Sequence, residues 1–96
     1  SEKEWKNSYK REKHSQPRKT IIYLMSKDHP DIAANFIRKH LDADNSYVVQ
    51  AEMIRQLGTV GNKSDISYLE SFIPVWSPRK ITRLAAERAI LELKGN

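Results

Sequence analysis

Apolar residues fall along this chain in short stripes at helical spacing, separated by polar or proline-marked breaks. Trp5 and Tyr9 stand one turn apart. Ile21, Leu24 and Met25 form a second stripe with Ile22 beside it, and Ile32, Phe36, Ile37 and Leu41 a third. Val48, Val49, Met53, Ile54 and Leu57 make a broad fourth face. Ile66, Leu69, Phe72 and Ile73 make the fifth, and Ile81, Leu84, Ala85, Ala89, Ile90 and Leu93 the sixth, all expected to pack inward. Three- and four-residue spacing puts such side chains on one flank of an α-helix. No segment alternates with the period of two that a half-buried strand requires, so the chain is predicted to be all-α.

The breaks carry start and stop signals. Ser1-x-x-Glu4 has the form of a capping box. Ser15-Gln16-Pro17, Asp28-His29-Pro30-Asp31 and Ser77-Pro78 each place proline at a helix start, where its missing N–H costs nothing. The polar turn from Asp42 to Ser46 offers several N-caps. Gly58 is expected to end the fourth helix, and Ser64-Asp65 to cap the fifth, which Pro74 should distort or end. Six helices at this spacing form three hairpins: residues 2–14 with 16–26, 30–42 with 45–58, and 64–76 with 78–94.

Two of the hairpins share a register. Phe36-Ile37 recurs as Phe72-Ile73, and Met53-Ile54-x-x-Leu57 as Ala89-Ile90-x-x-Leu93, both at an offset of 36 residues. A common offset in separate segments marks a repeat architecture built on helical hairpins. The first hairpin matches only at an offset of 33, through Ile21 and Leu24, as expected of a terminal unit with one side in water.

The run Val49-Gln50-Ala51-Glu52-Met53-Ile54-Arg55-Gln56-Leu57-Gly58 resembles the second helix of a HEAT repeat, and Asn62 to Ile66 resembles the short link to the next first helix. The resemblance covers residues 30–95. It implies an α-solenoid, an α-α superhelix of about three antiparallel hairpins forming one domain over residues 1–96. One departure stands out. HEAT repeats often carry an arginine after the valine of the second helix, in a ladder with an aspartate of the preceding turn. That place is held here by Gln50 and, one offset on, by Ala86, so the ladder is missing and the variant is closer to the short HEAT-like repeats found as appendages.

Composition narrows the function. Ninety-six residues make one small domain, with 39% hydrophobic and 30% charged residues. There is no cysteine, so disulfides, thiol nucleophiles and cysteine-bound zinc are excluded. No apolar run reaches the length of a membrane span, and no membrane role is expected. The chain begins at Ser1 without a methionine, from which we expect a piece of a longer protein. Net charge is +5, and residues 1–19 hold +4 of it through Lys3, Lys6, Lys10, Arg11, Lys13, Arg18 and Lys19 against Glu2, Glu4 and Glu12. Such an arm suits nucleic acid or an acidic partner. The interleaved acids and the Trp5/Tyr9 pair suit a solvated, packed first helix.

Sharper chemistry finds little support. Gly58 to Ser64 has two residues between its glycines where a phosphate-binding loop needs four, and a helix rather than a strand leads in. Ser77 and Lys80 have the spacing of a serine–lysine pair, but Ser77 precedes a proline and reads as an N-cap. His14, His29 and His40 lack metal-ligand spacing, and Asp42 and Asp44 read as turn caps. No catalytic, metal or cofactor residue is assigned, and no cofactor is expected in this chain.

What remains is a surface. In HEAT-like stacks the second helices line the concave face. The expected partner-binding positions are Glu52, Arg55 and Gln56 in one repeat and Arg83, Glu87 and Arg88 in the next, with Trp76 either a binding anchor or a plug at the hairpin base. Mixed signs favour protein contacts over a uniform phosphate backbone. The expectation is a non-catalytic module that packs against a partner protein or a neighbouring domain of the same polypeptide. One context the resemblance implies is the C-terminal helical region of an aminopeptidase N-like zinc metallopeptidase, with the zinc motif upstream. The alternative is a nucleic-acid-binding repeat module using the basic first helix, similar to helical-repeat DNA alkylation-repair proteins in repeat type only.

Overall fold

Helix starts in this chain are of two kinds: those at Tyr47 and Lys63 are capped by a side chain that takes up an unpaired backbone N–H, and those at Ser15 and Pro30 are not. The computed structural model describes residues 2–73 and 80–95. In chain order these form α1 (Glu2–Arg11), α2 (Ser15–Asp28), α3 (Pro30–His40), α4 (Tyr47–Val60), a 3-10 turn (Lys63–Asp65), α5 (Ile66–Glu70) and α6 (Lys80–Gly95), with no strand among the described residues. Pro30 opens α3 as predicted. Ser46 caps α4, its Oγ accepting from Val49 N at 3.3 Å. Pro17 falls at the third residue of α2 rather than the first, which is harmless because that N–H also has no intrahelical partner. The predicted Ser1 cap, Pro74, Trp76 and the Ser77-Pro78 start lie outside the described residues.

Three expectations need correction. Gly58 does not end α4, which runs on to Val60 and is closed by Gly61 in an extended conformation. Gly58 is inside the helix because a Cβ there would meet Ala89 of α6 at 2.7 Å. The fifth helix is shorter than predicted. Ser71, Phe72 and Ile73 donate to the carbonyls of Tyr68, Leu69 and Glu70, three residues back, so the helix tightens into turns after Glu70. Asp65 stands at the N-cap of α5, as predicted, but its side chain does not cap that helix: its Oδ2 accepts from Asn62 N at 2.9 Å, while the Asn62 side chain accepts from Ser64 N at 2.9 Å and caps the 3-10 turn.

Packing follows the stripes. α4 lies between α2 and α6, α3 packs on α2 and α4, α5 on α6, and α1 on α2. The resulting body measures 32 × 30 × 17 Å, about two helix layers thick. Its radius of gyration of 12.4 Å is that of a compact globule, for which about 12.5 Å is expected at this length. Phe36, Ile37, Leu41, Val49, Met53, Ile54, Leu57 and Leu93 are buried in one core. The offset of 36 holds in burial: Val49 and Ala85, Met53 and Ala89, Ile54 and Ile90, Leu57 and Leu93 are buried pair by pair. Two stripes depart from expectation. Leu24 is exposed while its neighbour Ile22 is fully buried, so α2 is rotated from the predicted face. Ile81 and Leu84, expected inside, are exposed. The small Ala85, Ala86 and Ala89 let α6 come close to α4, and the inward face is full without the larger pair.

Candidate interaction surface

α6 carries more apolar surface than the core can use. Among the described residues the large apolar side chains left in water are Tyr23, Leu24, Tyr47, Ile81, Leu84 and Leu91. Tyr23 is partly covered by Lys27, whose Nζ stands 5.4 Å from the ring centroid. Three of the six share one face of α6, where Ile81, Leu84 and Leu91 are 42%, 50% and 71% exposed. Their spacings of three and seven residues put them in a row along the helix. With Arg55 of α4 and Ala85, Glu87 and Arg88 of α6 they line an open groove of about 520 Å³. A smaller groove of about 200 Å³ adjoins it between Arg55, Gln56, Thr59, Arg88, Ala89 and Glu92.

The predicted contact residues divide between this groove and the interior. Arg55, Glu87 and Arg88 line it. Glu52 does not face water: it is 6% exposed. Its carboxylate accepts from Arg55 Nη2 at 2.8 Å and from Gln56 Nε2 at 2.7 Å, so three predicted surface residues make one tied cluster along a single helix face. That cluster fixes the Arg55 guanidinium at the groove edge. Gln56 is half-buried in the smaller groove. Arg83 is half-buried, with its Nε shielded from solvent and without a hydrogen-bond partner. Trp76 lies outside the described residues.

Two polar clusters not foreseen in the sequence tie the helices together. Asp44, buried in the turn before α4, accepts from the Tyr9 hydroxyl and from Arg18 Nη2, and its Oδ1 accepts from Ser46 N at 2.9 Å. Ser15 and Ser46 share a hydroxyl hydrogen bond of 2.9 Å alongside. Burial first, and then the Asp44 carboxylate, push the Tyr9 phenol up to about 12. Asp44 is thus paired with a guanidinium from α2. Gln50 donates to the Leu41 carbonyl at 3.0 Å. The second cluster is bidentate: Arg38 Nε and Nη2 each donate to Asp65 at 2.8 Å. This pairing holds the Asp65 carboxyl below its ordinary value.

The basic first helix meets the end of α3. His40 is stacked at 4.2 Å from the Phe36 ring and 5.6 Å from Tyr9, and burial lowers its protonation, with Lys6, Lys10 and Lys39 adding repulsion. Tyr68 is pushed up by burial and then by Asp42. Among the described residues no group of three or more histidine, aspartate or glutamate side chains is arranged to hold a metal, and no helix is long and apolar enough to cross a membrane. The Gly58 to Ser64 segment is the end of α4 and an interhelix turn, as expected. No protein-family profile, curated protein or solved structure matches the chain.

Proposed function

We propose that this chain is a non-catalytic helical-repeat module, HEAT-like in its stacking, that works by seating another polypeptide on the α4–α6 face. The observation that carries the reading is the row of exposed Ile81, Leu84 and Leu91 beside Arg55, Glu87 and Arg88. A contiguous apolar row with a charged rim is what a contact surface needs: the centre gains from losing water, and the rim sets which partner fits. The neighbourly order α2, α4, α6 and the paired burial at an offset of 36 support the stacking part of the reading. The occupant is a partner protein or a neighbouring domain of the same polypeptide. In the aminopeptidase N-like setting that the resemblance implies, this face would rest on the domain holding the zinc.

The test is site-specific photo-crosslinking from position 91 in the protein as expressed in its own cell. A crosslinked polypeptide at position 91, absent when the photoreactive residue stands at exposed Lys3, is the expected result. Equal labelling at both positions, or none at position 91, overturns the reading. The isolated chain is further expected to show no peptidase activity with or without added zinc; activity that purifies with it removes the non-catalytic part.

A second reading, nucleic-acid binding by the basic first helix, is favoured by one observation: Lys10 and Lys13 line an open groove together with Tyr9 and His40. Phosphate contacts would make binding fall steeply with salt. A salt series on duplex and single-stranded oligonucleotides tests it, and no binding at low salt removes it.

A further inference from the structure

The outer face of α1 carries mostly one sign of charge, unlike the α4–α6 groove, and the inference drawn from it rests on the nucleic-acid reading above. Lys3, Lys6 and Lys10 are exposed and follow one another at spacings of three and four residues on α1. At about 100° per residue they share an arc of roughly 60°, with Glu4 about 130° from its centre. Past the helix end the row continues with Lys13, which lines an open groove of about 400 Å³ with Lys10, Tyr9 and His40. Lys39, next to His40, reaches back to α1, its Nζ 3.8 Å from Glu2. Acids are few on this face. Glu12 lines the groove, half-buried, with its Oε2 accepting from His14 N at 3.1 Å. Glu2 holds Lys39 only through an exposed pair, which a competing anion displaces at little cost. Arg18 lines the groove too, but buried Asp44 matches its charge, so it adds none. Five lysines therefore stand against two carboxylates.

The neighbours of these lysines decide which anion fits. None of the large apolar side chains exposed among the described residues belongs to α1 or α3. A lipid surface is held by inserted apolar side chains as well as by charge, and an acidic protein segment by a desolvated apolar centre, so both fit this face poorly. A row of ammonium groups without apolar neighbours gains instead by releasing the counterions of a polyanion. Tyr9 and Phe36 are buried and His40 is half-buried against them, so these rings offer little face for the bases of a single strand to stack on. A duplex, with one charge per about 1.7 Å, is the denser target. From Lys3 to Lys10 the row runs about 10 Å along α1, which matches about three phosphate steps of one strand.

We propose that the row Lys3, Lys6, Lys10 and Lys13, with Lys39 beside it, binds the phosphate backbone of a nucleic-acid duplex without reading its sequence. Each lysine meets a phosphate oxygen, and such contacts position a protein on a duplex but carry no sequence information. The face is separate from the α4–α6 groove, so a polypeptide there and a duplex here do not compete.

The experiment titrates the full chain with two short DNA duplexes of unrelated sequence, with one of their single strands, and with vesicles containing phosphatidylserine. Both duplexes are expected to bind equally, and more tightly than the single strand or the vesicles. The logarithm of affinity should fall with that of salt between about 50 and 200 mM at a slope of about −3 to −4, as about four phosphate contacts give. Amide NMR should place the shifts on residues 3–13 and 39–40. K6E/K10E should weaken duplex binding at least tenfold and flatten the slope by about 2. K80E/K94E makes the same charge change at exposed lysines of α6 and should alter affinity by less than about threefold. Circular dichroism verifies that both variants are folded. Equal losses in the two variants overturn the proposal, because net charge rather than this row then does the binding. So does a strong preference for one duplex sequence, or vesicle binding as tight as duplex binding. If the single strand binds more tightly than the duplexes and K6E/K10E still abolishes it, the duplex proposal falls while nucleic-acid binding by the first helix stands. If no oligonucleotide binds at low salt, both fall.

Discussion

Gly58 and Ala89 meet where α4 packs on α6: a methyl group at Gly58 would lie 2.7 Å from the Ala89 Cβ and 2.8 Å from its Cα. Two effects oppose each other in G58A. Alanine is the better helix former by about 1 kcal/mol. The added carbon must push apart two helices whose contact includes backbone, and overpacking of that kind costs about 1–3 kcal/mol. The steric cost wins, and G58A should lose roughly 1–2 kcal/mol in urea unfolding. A89G removes the Cβ contact but leaves the Cα at 2.8 Å, so the double variant G58A/A89G should recover only part of the loss. G95A meets nothing within 4 Å and should change stability by less than about 0.5 kcal/mol. A stabilised G58A would mean that the close approach of α4 and α6 is wrong.

Asp44 is the hub of the contact between α1, α2 and the turn before α4. Removing it leaves the Arg18 guanidinium, only 14% exposed, without its carboxylate and with the Tyr9 hydroxyl, which accepts from Arg18 Nη2 at 3.3 Å, as its remaining partner in the cluster. Breaking a buried ion pair from one side costs about 3–5 kcal/mol. D44A is therefore expected near 3 kcal/mol, which for a domain of this size is a large share of its total. Y9F removes only a hydroxyl and should cost about 1 kcal/mol. A double-mutant cycle between Y9F and D44A checks the linkage. Additive effects would separate Tyr9 from the cluster.

The repeat register can be tested by matched truncations. Leu57 and Leu93 occupy equivalent places at the offset of 36 and are 0% and 1% exposed. L57A and L93A should each cost about 2–5 kcal/mol. L91A, on the same helix but 71% exposed, should cost less than about 0.5 kcal/mol. A loss below about 1 kcal/mol at Leu57 would place that residue outside the shared core.

The legible part of this fold was periodic and local. Stripe spacing and proline positions are properties of short segments, and they placed six helices and most of the buried residues. What the stripes could not reveal is how much of each apolar face a neighbour would cover. Leu84 and Ile81 look like core in the sequence because their spacing fits the inward row. They are exposed because Ala85, Ala86 and Ala89 bring α6 so near α4 that the row behind them fills the interior. Gly58 failed for a related reason: glycine reads as a helix end locally, whereas its cause here is a residue 31 positions away. The Asp44 cluster was invisible because Tyr9, Arg18 and Asp44 come from three elements, and only the tertiary fold makes them neighbours. Of the candidate positions, Arg55, Glu87 and Arg88 line the groove; they were picked as outward positions of the second helices that the HEAT-like resemblance implies. Glu52 was misplaced because helical phase does not register that Arg55 and Gln56 fold over it.

His40 makes stability depend on pH in a window of its own. It is half-buried between Phe36 and Tyr9, and burial together with Lys6, Lys10 and Lys39 lowers its pKa from the ordinary 6.5. The unfolded chain therefore binds the His40 proton at a higher pH than the folded one does. Where the unfolded state holds more protons, stability rises with pH. The His40 contribution is fully present above 6.5 and is lost as pH falls through the lowered folded value. Asp65 acts in the same direction but lower down, since its folded pKa lies below the ordinary 3.8 and its contribution disappears only as pH falls through that lowered value. Urea unfolding between pH 5 and 7.5 should show stability climbing with pH, and H40Q should flatten that climb. Raising salt should reduce the lysine part of the effect and leave the burial part, because screening acts on exposed charges and not on desolvation. NMR titration of the His40 ring gives the direct reading: a midpoint above 6.5, or a slope unchanged in H40Q, would move the imidazole out of the Phe36–Tyr9 stack and the three lysines away from it.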